Sequence, residues 1–173
     1  MDFIRTHTGK FHFDKISSNN INIEDIAWGL SRVPRYGGQS DRVLYVGEHS
    51  YNVSKFVKAK NALAGLLHDA SEAFLGDIVT PLKTNLPEYK VIEEETMKVI
   101  CKTFGLHWPF DPEVKIVDKN MFFCEYEQVF NYRGPSIDPY ENMTNPYPNF
   151  IIKFWGKKRV YNKFMERFKE LIN

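Results

Sequence analysis

Cysteine is scarce. The chain has two, Cys101 and Cys124, in 173 residues. They lack the CxxC spacing of a structural zinc site and are too few for a disulfide framework, so free thiols in an intracellular protein are expected. Long apolar runs are absent too: no stretch approaches the roughly 18 residues a membrane span requires. The opening MDFIRTHTGK shows no apolar segment of signal-peptide length, which makes the cytoplasm the expected compartment. Surplus charge is also missing. With 23 Lys and Arg against 22 Asp and Glu, the chain has no basic excess to coat a nucleic-acid polymer or a membrane surface. Only the tail departs from balance, with seven Lys and Arg against two Glu from Ile151 onward. That pattern reads as the solvated outer face of a terminal helix, with a polyanion contact as the second reading. No internal repeat or low-complexity tract is present.

What remains is enough to pack. A hydrophobic fraction of 43% and an aromatic fraction of 15% exceed what a disordered chain carries, and the length suits one domain over residues 1–173. Ile4 to Asp14 alternates around Thr8-Gly9-Lys10, which predicts a short hairpin or extended arm. Asn22 is placed to cap a first helix that ends before Pro34, and a second is expected from about Val43 to Lys58. Asn61 is placed to cap a third, running through Leu63, Leu66, Leu67, Ala70 and Phe74 to Gly76. A fourth carries Tyr89, Ile92, Thr96, Val99 and Ile100 and closes at Gly105; a fifth starts at Pro112 and buries Val114, Val117, Met121 and Cys124. Prolines and asparagines between Gly134 and Asn149 predict an irregular loop. A last helix shows Val160, Tyr161, Phe164, Met165, Phe168, Leu171 and Ile172 as one apolar stripe. About six helices and almost no strand make an all-α bundle.

The third helix holds an anomaly. Leu66-Leu67-His68-Asp69-Ala70-Ser71-Glu72 sets a His-Asp pair and a further carboxylate into an apolar segment. Buried carboxylates are costly unless paired, metal-bound or facing a cleft. On an α-helix His68 and Glu72 share a face and Asp69 lies about 100° away. A His-Asp dipeptide alone is usually a satisfied core pair. Here His49 intrudes into the apolar pattern of the previous helix and Asp118 into that of a later one. Three such intrusions suggest one convergent site, and its nitrogen and oxygen donors suit Mn, Fe, Co, Ni or Zn better than Ca or Mg alone.

The ordered set His49, His68-Asp69, Asp118 resembles the H…HD…D signature of the HD-domain phosphohydrolases. Likeness continues through Thr8-Gly9-Lys10, Ile23 to Ala27, Arg35 to Gly38, Val46 to Ser50, Leu66 to Asp77 and Val114 to Lys119. These segments look like a bacterial and phage branch that includes 5'-deoxynucleotidases and deoxynucleoside triphosphohydrolases. The resemblance implies an HD-domain helical bundle in which His49, His68, Asp69 and Asp118 hold a divalent transition metal. It implies catalytic roles for Glu72 and Asp77, orienting water, relaying its proton or holding a second ion such as Mg. Arg35, with Tyr36 beside it, matches a substrate-contacting arginine, and Lys83 and Lys115 are further candidates for phosphate contact. Gln39 stands where relatives often carry histidine, and it cannot titrate near neutral pH.

The expected activity is hydrolysis of a nucleotide phosphate ester, with a deoxynucleoside 5'-monophosphate as favoured substrate. A triphosphohydrolase acting on a dNTP such as dATP and releasing tripolyphosphate is the alternative within the enzyme class. A non-hydrolytic metal- or nucleotide-binding protein is the alternative of another class. Homo-oligomers are usual for relatives of this kind.

Overall fold

In the computed structural model, residues 2–130 and 144–173 are described. The N-terminal hairpin pairs β1 (Phe3–Arg5) with β2 (Lys10–His12) antiparallel, Ile4 facing Phe11. It is followed by α1 (Ile23–Leu30), α2 (Val46–Phe56), α3 (Ala62–Leu67), α4 (Glu72–Leu75), α5 (Thr80–Lys83), α6 (Pro87–Thr103), α7 (Pro112–Val129) and α8 (Lys157–Ile172). The expected helices are all here: α3 and α4 together form the third, while four-residue α5 is an addition. The class is all-α. Of the stretch expected as an irregular loop, only 144–149 lies within the described residues, and it forms neither helix nor strand.

Local chemistry sets the boundaries. Asn22 caps α1, its Oδ1 accepting from the Asp25 amide at 2.8 Å. Asp25 in turn accepts from Thr6 Oγ1 at 2.7 Å and the Thr8 amide at 2.7 Å, tying the hairpin turn to α1. Phe11, fully buried, stacks on Phe74 of α4 with centroids 4.3 Å apart. The core runs from these rings through Ile26, Leu30, Leu66, Leu67 and Ile100 to Phe164 and Phe168 of α8. Asp111 caps α7 ahead of Pro112, and the expected stripe of Val114, Val117, Met121 and Cys124 is buried.

Several expectations need correction. Helix α2 is shorter than Val43 to Lys58, because the extended backbone at Tyr45 and Val57 stops it at both ends. Asn61 does not cap α3 with its side chain; its Nδ2 is drawn instead to Glu113 Oε2, 2.6 Å away. Ile172 ends the apolar stripe of α8 at 56% exposure, one step beyond the surface that α8 packs against. The third helix is not uniform: between α3 and α4 the chain bonds at three-residue spacing, with the Glu72 amide to Asp69 O at 3.0 Å and Phe74 to Ser71 O at 3.0 Å. Such tightening eclipses residues three apart, so Asp69 and Glu72 come together rather than His68 and Glu72.

Close helix approach places the site. Gly65 lets α3 settle on α2, where an added Cβ would lie 3.1 Å from Val57 Cγ2 and 3.2 Å from Ser54 Cα. Gly29 is more restrictive, since a Cβ there would fall 2.6 Å from Ala73 O on α4. Gly29→Ala should therefore push α1 off the helix that carries Glu72 and cost about 1–3 kcal/mol, as overpacking does. A urea unfolding series checks this: the midpoint should fall with little change in slope.

Candidate metal centre

Two helices and the turn between two others converge. His49 sits in the first turn of α2 with no exposure, His68 and Asp69 at the tightened turn after α3, and Asp118 in the middle of α7. His49 Nε2 is 3.0 Å from Asp118 Oδ1 and 3.7 Å from Asp69 Oδ2. His68 Nε2 is 3.1 Å from Asp69 Oδ2 and 3.6 Å from Asp118 Oδ1. The donors of His49, His68 and Asp118 all lie within 4.8 Å of one another. All four predicted ligands are thus brought together.

The imidazoles are oriented from behind. His68 Nδ1 is 2.9 Å from Gly65 O, and His49 Nδ1 is 2.8 Å from Glu125 Oε2. With a proton on each Nδ1, both Nε2 lone pairs point into the cluster, which is how metal-binding histidines are held. His68 Nε2 is buried and has no aligned hydrogen-bond partner among the described residues. Donors separated by 3.0 to 3.7 Å match ligands about 2.0–2.2 Å from a shared ion. The residues therefore fit a divalent metal.

Electrostatics ties the groups of the cluster to one another. Burial works against an imidazolium at His68, yet Asp69 and Asp118 carry its pKa well above the usual histidine value. Burial and Arg35 act likewise on His49, and Glu125 and Asp118 outweigh them. Asp118 is held below the carboxylate range by the two imidazoles despite its burial, and His68 does the same for Asp69.

Around this floor opens a cavity of about 760 Å³. Of the sequence candidates, Arg35, Tyr36, Asp69, Glu72, Asp77, Lys83, Lys115 and Asp118 line it. Arg35 is anchored by Glu125 Oε2 at 3.3 Å from its Nε, and its Nη1 is 3.7 Å from Asp69 Oδ2. The loop that carries it is pinned by the Arg35 amide donating to Leu44 O at 2.8 Å. Tyr36 takes a positive φ of 58° and packs its ring against Phe122, Tyr126 and Phe130. Such a conformation costs of order 1 kcal/mol away from glycine. Glu72 is buried and its carboxyl is raised well above the usual range, by burial first and then by Asp69 and Asp77. Asp77 is raised by burial and by Asp69. Lys83 is committed to Glu93 Oε1 at 2.6 Å. Gln39 is exposed and lies outside the cavity lining.

Sequence reasoning missed Glu125 and the outer wall of Lys119, Phe122, Phe123 and Tyr126. Glu125 lies seven residues after Asp118, two helical turns along the same face of α7. A signal was present in that spacing, since a carboxylate there falls on the buried side.

Comparison with known proteins adds relatives. No protein-family model matches the chain. It is 36% identical over 177 residues to the uncharacterized protein YfdR of Escherichia coli (strain K12), covering 99% of this chain and 96% of that protein. It is 33% identical over 133 residues to the uncharacterized protein RCAP_rcc00048 of Rhodobacter capsulatus, covering 69% of this chain and 68% of that protein.

The cluster's titration gives a testable sign. Raised imidazole pKa values contribute stability that is present below the unfolded histidine value and lost as pH rises through the folded one. The depressed Asp69 and Asp118 contribute fully above the acid range, so they do not alter this trend near neutrality. Chelator-treated protein should therefore lose thermal stability as pH climbs above the ordinary histidine value and through the raised values of these groups. Added Zn or Mn should raise the melting temperature more at high pH than at low, because imidazoles must shed their protons to ligate. Melts of wild type and His68→Ala over this range decide the matter: a metal-induced shift that ignores pH, or survives His68→Ala, removes the site.

Proposed function

We propose a function for this chain, which belongs to the same family as YfdR of Escherichia coli and RCAP_rcc00048 of Rhodobacter capsulatus: it is a metal-dependent phosphohydrolase of the HD-domain kind that acts on nucleotides. The favoured substrate is a deoxynucleoside 5'-monophosphate. One observation carries the reading: Asp69 and Asp118, clustered with the buried imidazoles of His49 and His68, line a cavity that also holds Arg35, lysines and an aromatic wall. Cation-binding donors, phosphate-binding cations and stacking rings in one cleft match the three parts of a nucleotide bound at a metal.

When bound, the divalent metal, of the Mn, Co, Fe, Ni or Zn class, supplies Lewis acidity and lowers the pKa of water. The rest falls to the protein. Arg35, fixed by Glu125, offers its guanidinium to phosphate oxygens, and Lys115 adds a point charge from the facing wall. Glu72 lies beside Asp69 at the cavity edge, where it takes the proton of the attacking water and relays it toward the leaving 5'-oxygen. The water oxygen bonds to phosphorus as the ester P–O bond breaks. Asp77, near Glu72, orients that water or helps hold a second ion such as Mg. Phe122, Phe123 and Tyr126 supply the surface against which the base rests.

A cavity of about 760 Å³ with Lys119 beyond Lys115 also favours a second reading, a dNTP triphosphohydrolase releasing tripolyphosphate. The cytoplasm suits either activity, given two free, buried thiols and no described helix long and apolar enough to cross a membrane. Neither activity needs a nucleic-acid polymer, and assembly into homo-oligomers belongs to the same proposal.

Incubation with a nucleotide panel and Mn or Co should release orthophosphate from dNMP, whereas tripolyphosphate from dNTP would select the second reading. Asp69→Ala should abolish release. Equal release by both proteins, or none by either, would sink hydrolysis in favour of a non-hydrolytic binding protein. Glu72→Ala should keep its metal, read by elemental analysis, and lose about two to four orders of magnitude in kcat, the usual scale for a lost acid-base group. An empty site in that variant would make Glu72 a ligand instead.

A further inference from the structure

Glu125 lies on α7 with no exposure at all, deeper than any carboxylate of the metal cluster. A single oxygen, Oε2, meets both His49 Nδ1 at 2.8 Å and Arg35 Nε at 3.3 Å. The first contact is an aligned hydrogen bond; the second is an ion pair off the N–H direction, and among the described residues Arg35 Nε and Glu125 Oε1 have no aligned partner. Arg35 is therefore shared between two carboxylates, Glu125 on one side and Asp69, 3.7 Å away through Nη1, on the other. Its guanidinium reaches the cavity only along the line these two anchors leave.

Resting on the phosphohydrolase reading, we propose that Glu125 is a positioning residue that couples the metal to the phosphate. It fixes His49 with Nε2 toward the ion and, through the same oxygen, holds Arg35 off Asp69 and turned to the cavity. Two consequences follow from the geometry. Without the Glu125 charge, the Arg35 guanidinium shifts its pairing to Asp69 and competes with the metal for that carboxylate. With Glu125 in place, an oxyanion that engages Arg35 draws it further from Asp69 and leaves that ligand to the ion. Phosphate and metal should thus each tighten the other's binding, as linkage between two sites requires.

The experiment titrates Mn into the chelator-stripped full chain, followed by electron paramagnetic resonance, with and without inorganic phosphate. In wild type, phosphate should tighten Mn binding several-fold. In Glu125→Gln, Mn affinity should fall about tenfold or more, the usual cost of losing an outer-shell partner, and the phosphate effect should vanish. Arg35→Lys keeps a positive charge but removes the Nε contact; it should hold Mn affinity within a few-fold and still lose the phosphate effect. That variant keeps the test decisive if Glu125→Gln fails to fold, which circular dichroism would reveal. Mn affinity and phosphate enhancement that match wild type in either folded variant overturn the coupling. If wild type then still hydrolyses nucleotides, only the role of Glu125 is lost; if wild type binds no Mn, the metal site and this inference fall together.

Discussion

Two buried imidazoles and two part-buried carboxylates, with each imidazole nitrogen 3.0 to 3.7 Å from both carboxylates, constrain everything else in this molecule. Buried charge is tolerated only when paired, hydrogen-bonded or neutralised by an ion, so the surrounding helices must supply compensation. They do so from outside the cluster. Gly65 O and Glu125 occupy the two Nδ1 positions, which leaves the Nε2 positions no direction but inward. Close packing of α3 on α2 at Gly65 and the two-turn spacing of Asp118 and Glu125 on α7 keep these partners in reach.

Adjacent residues on α2 show how finely the charges are divided. His49 faces the cluster, while Glu48, equally buried, turns the other way and accepts from the Lys153 amide at 3.1 Å and the Trp155 amide at 2.7 Å. Burial raises the Glu48 carboxyl, and these backbone bonds work to lower it. Phe154 between them adopts φ 52°, a curl that presents successive amides to one carboxylate. Glu48 thereby clasps the segment leading into α8, and α8 closes the core behind α1 and α2.

Much of this was legible in the sequence because the clues were violations of pattern. His49, His68, Asp69 and Asp118 interrupt apolar stripes, and the structure gathers all four. Helix existence followed from periodicity and from the boundary residues Asn22, Pro112 and Gly76. The tightened turn at residues 68–71 was illegible, since helical spacing is indifferent to a local change from four-residue to three-residue bonding. That change is what seats Glu72 beside Asp69. Glu125 escaped because charged residues near a helix end read as solvated surface until tertiary packing covers them. Tyr36 gave no sign of its positive φ, which is imposed by the pinned loop and its ring contacts.

Charge conservation bears on what the cluster could hold. In the bare cluster, neighbouring carboxylates favour the protonated form of each imidazole and raise both above the ordinary histidine value. A divalent cation that displaces those two protons leaves the net charge of the buried cluster unchanged. A monovalent ion displacing both would leave it one unit more negative, a difference that the partly buried surroundings screen less than bulk water does. The same carboxylates that raise the imidazoles would therefore favour a divalent occupant, and Arg35 is balanced by Glu125 outside the cluster. Proton and metal are alternative ways of balancing the same carboxylates.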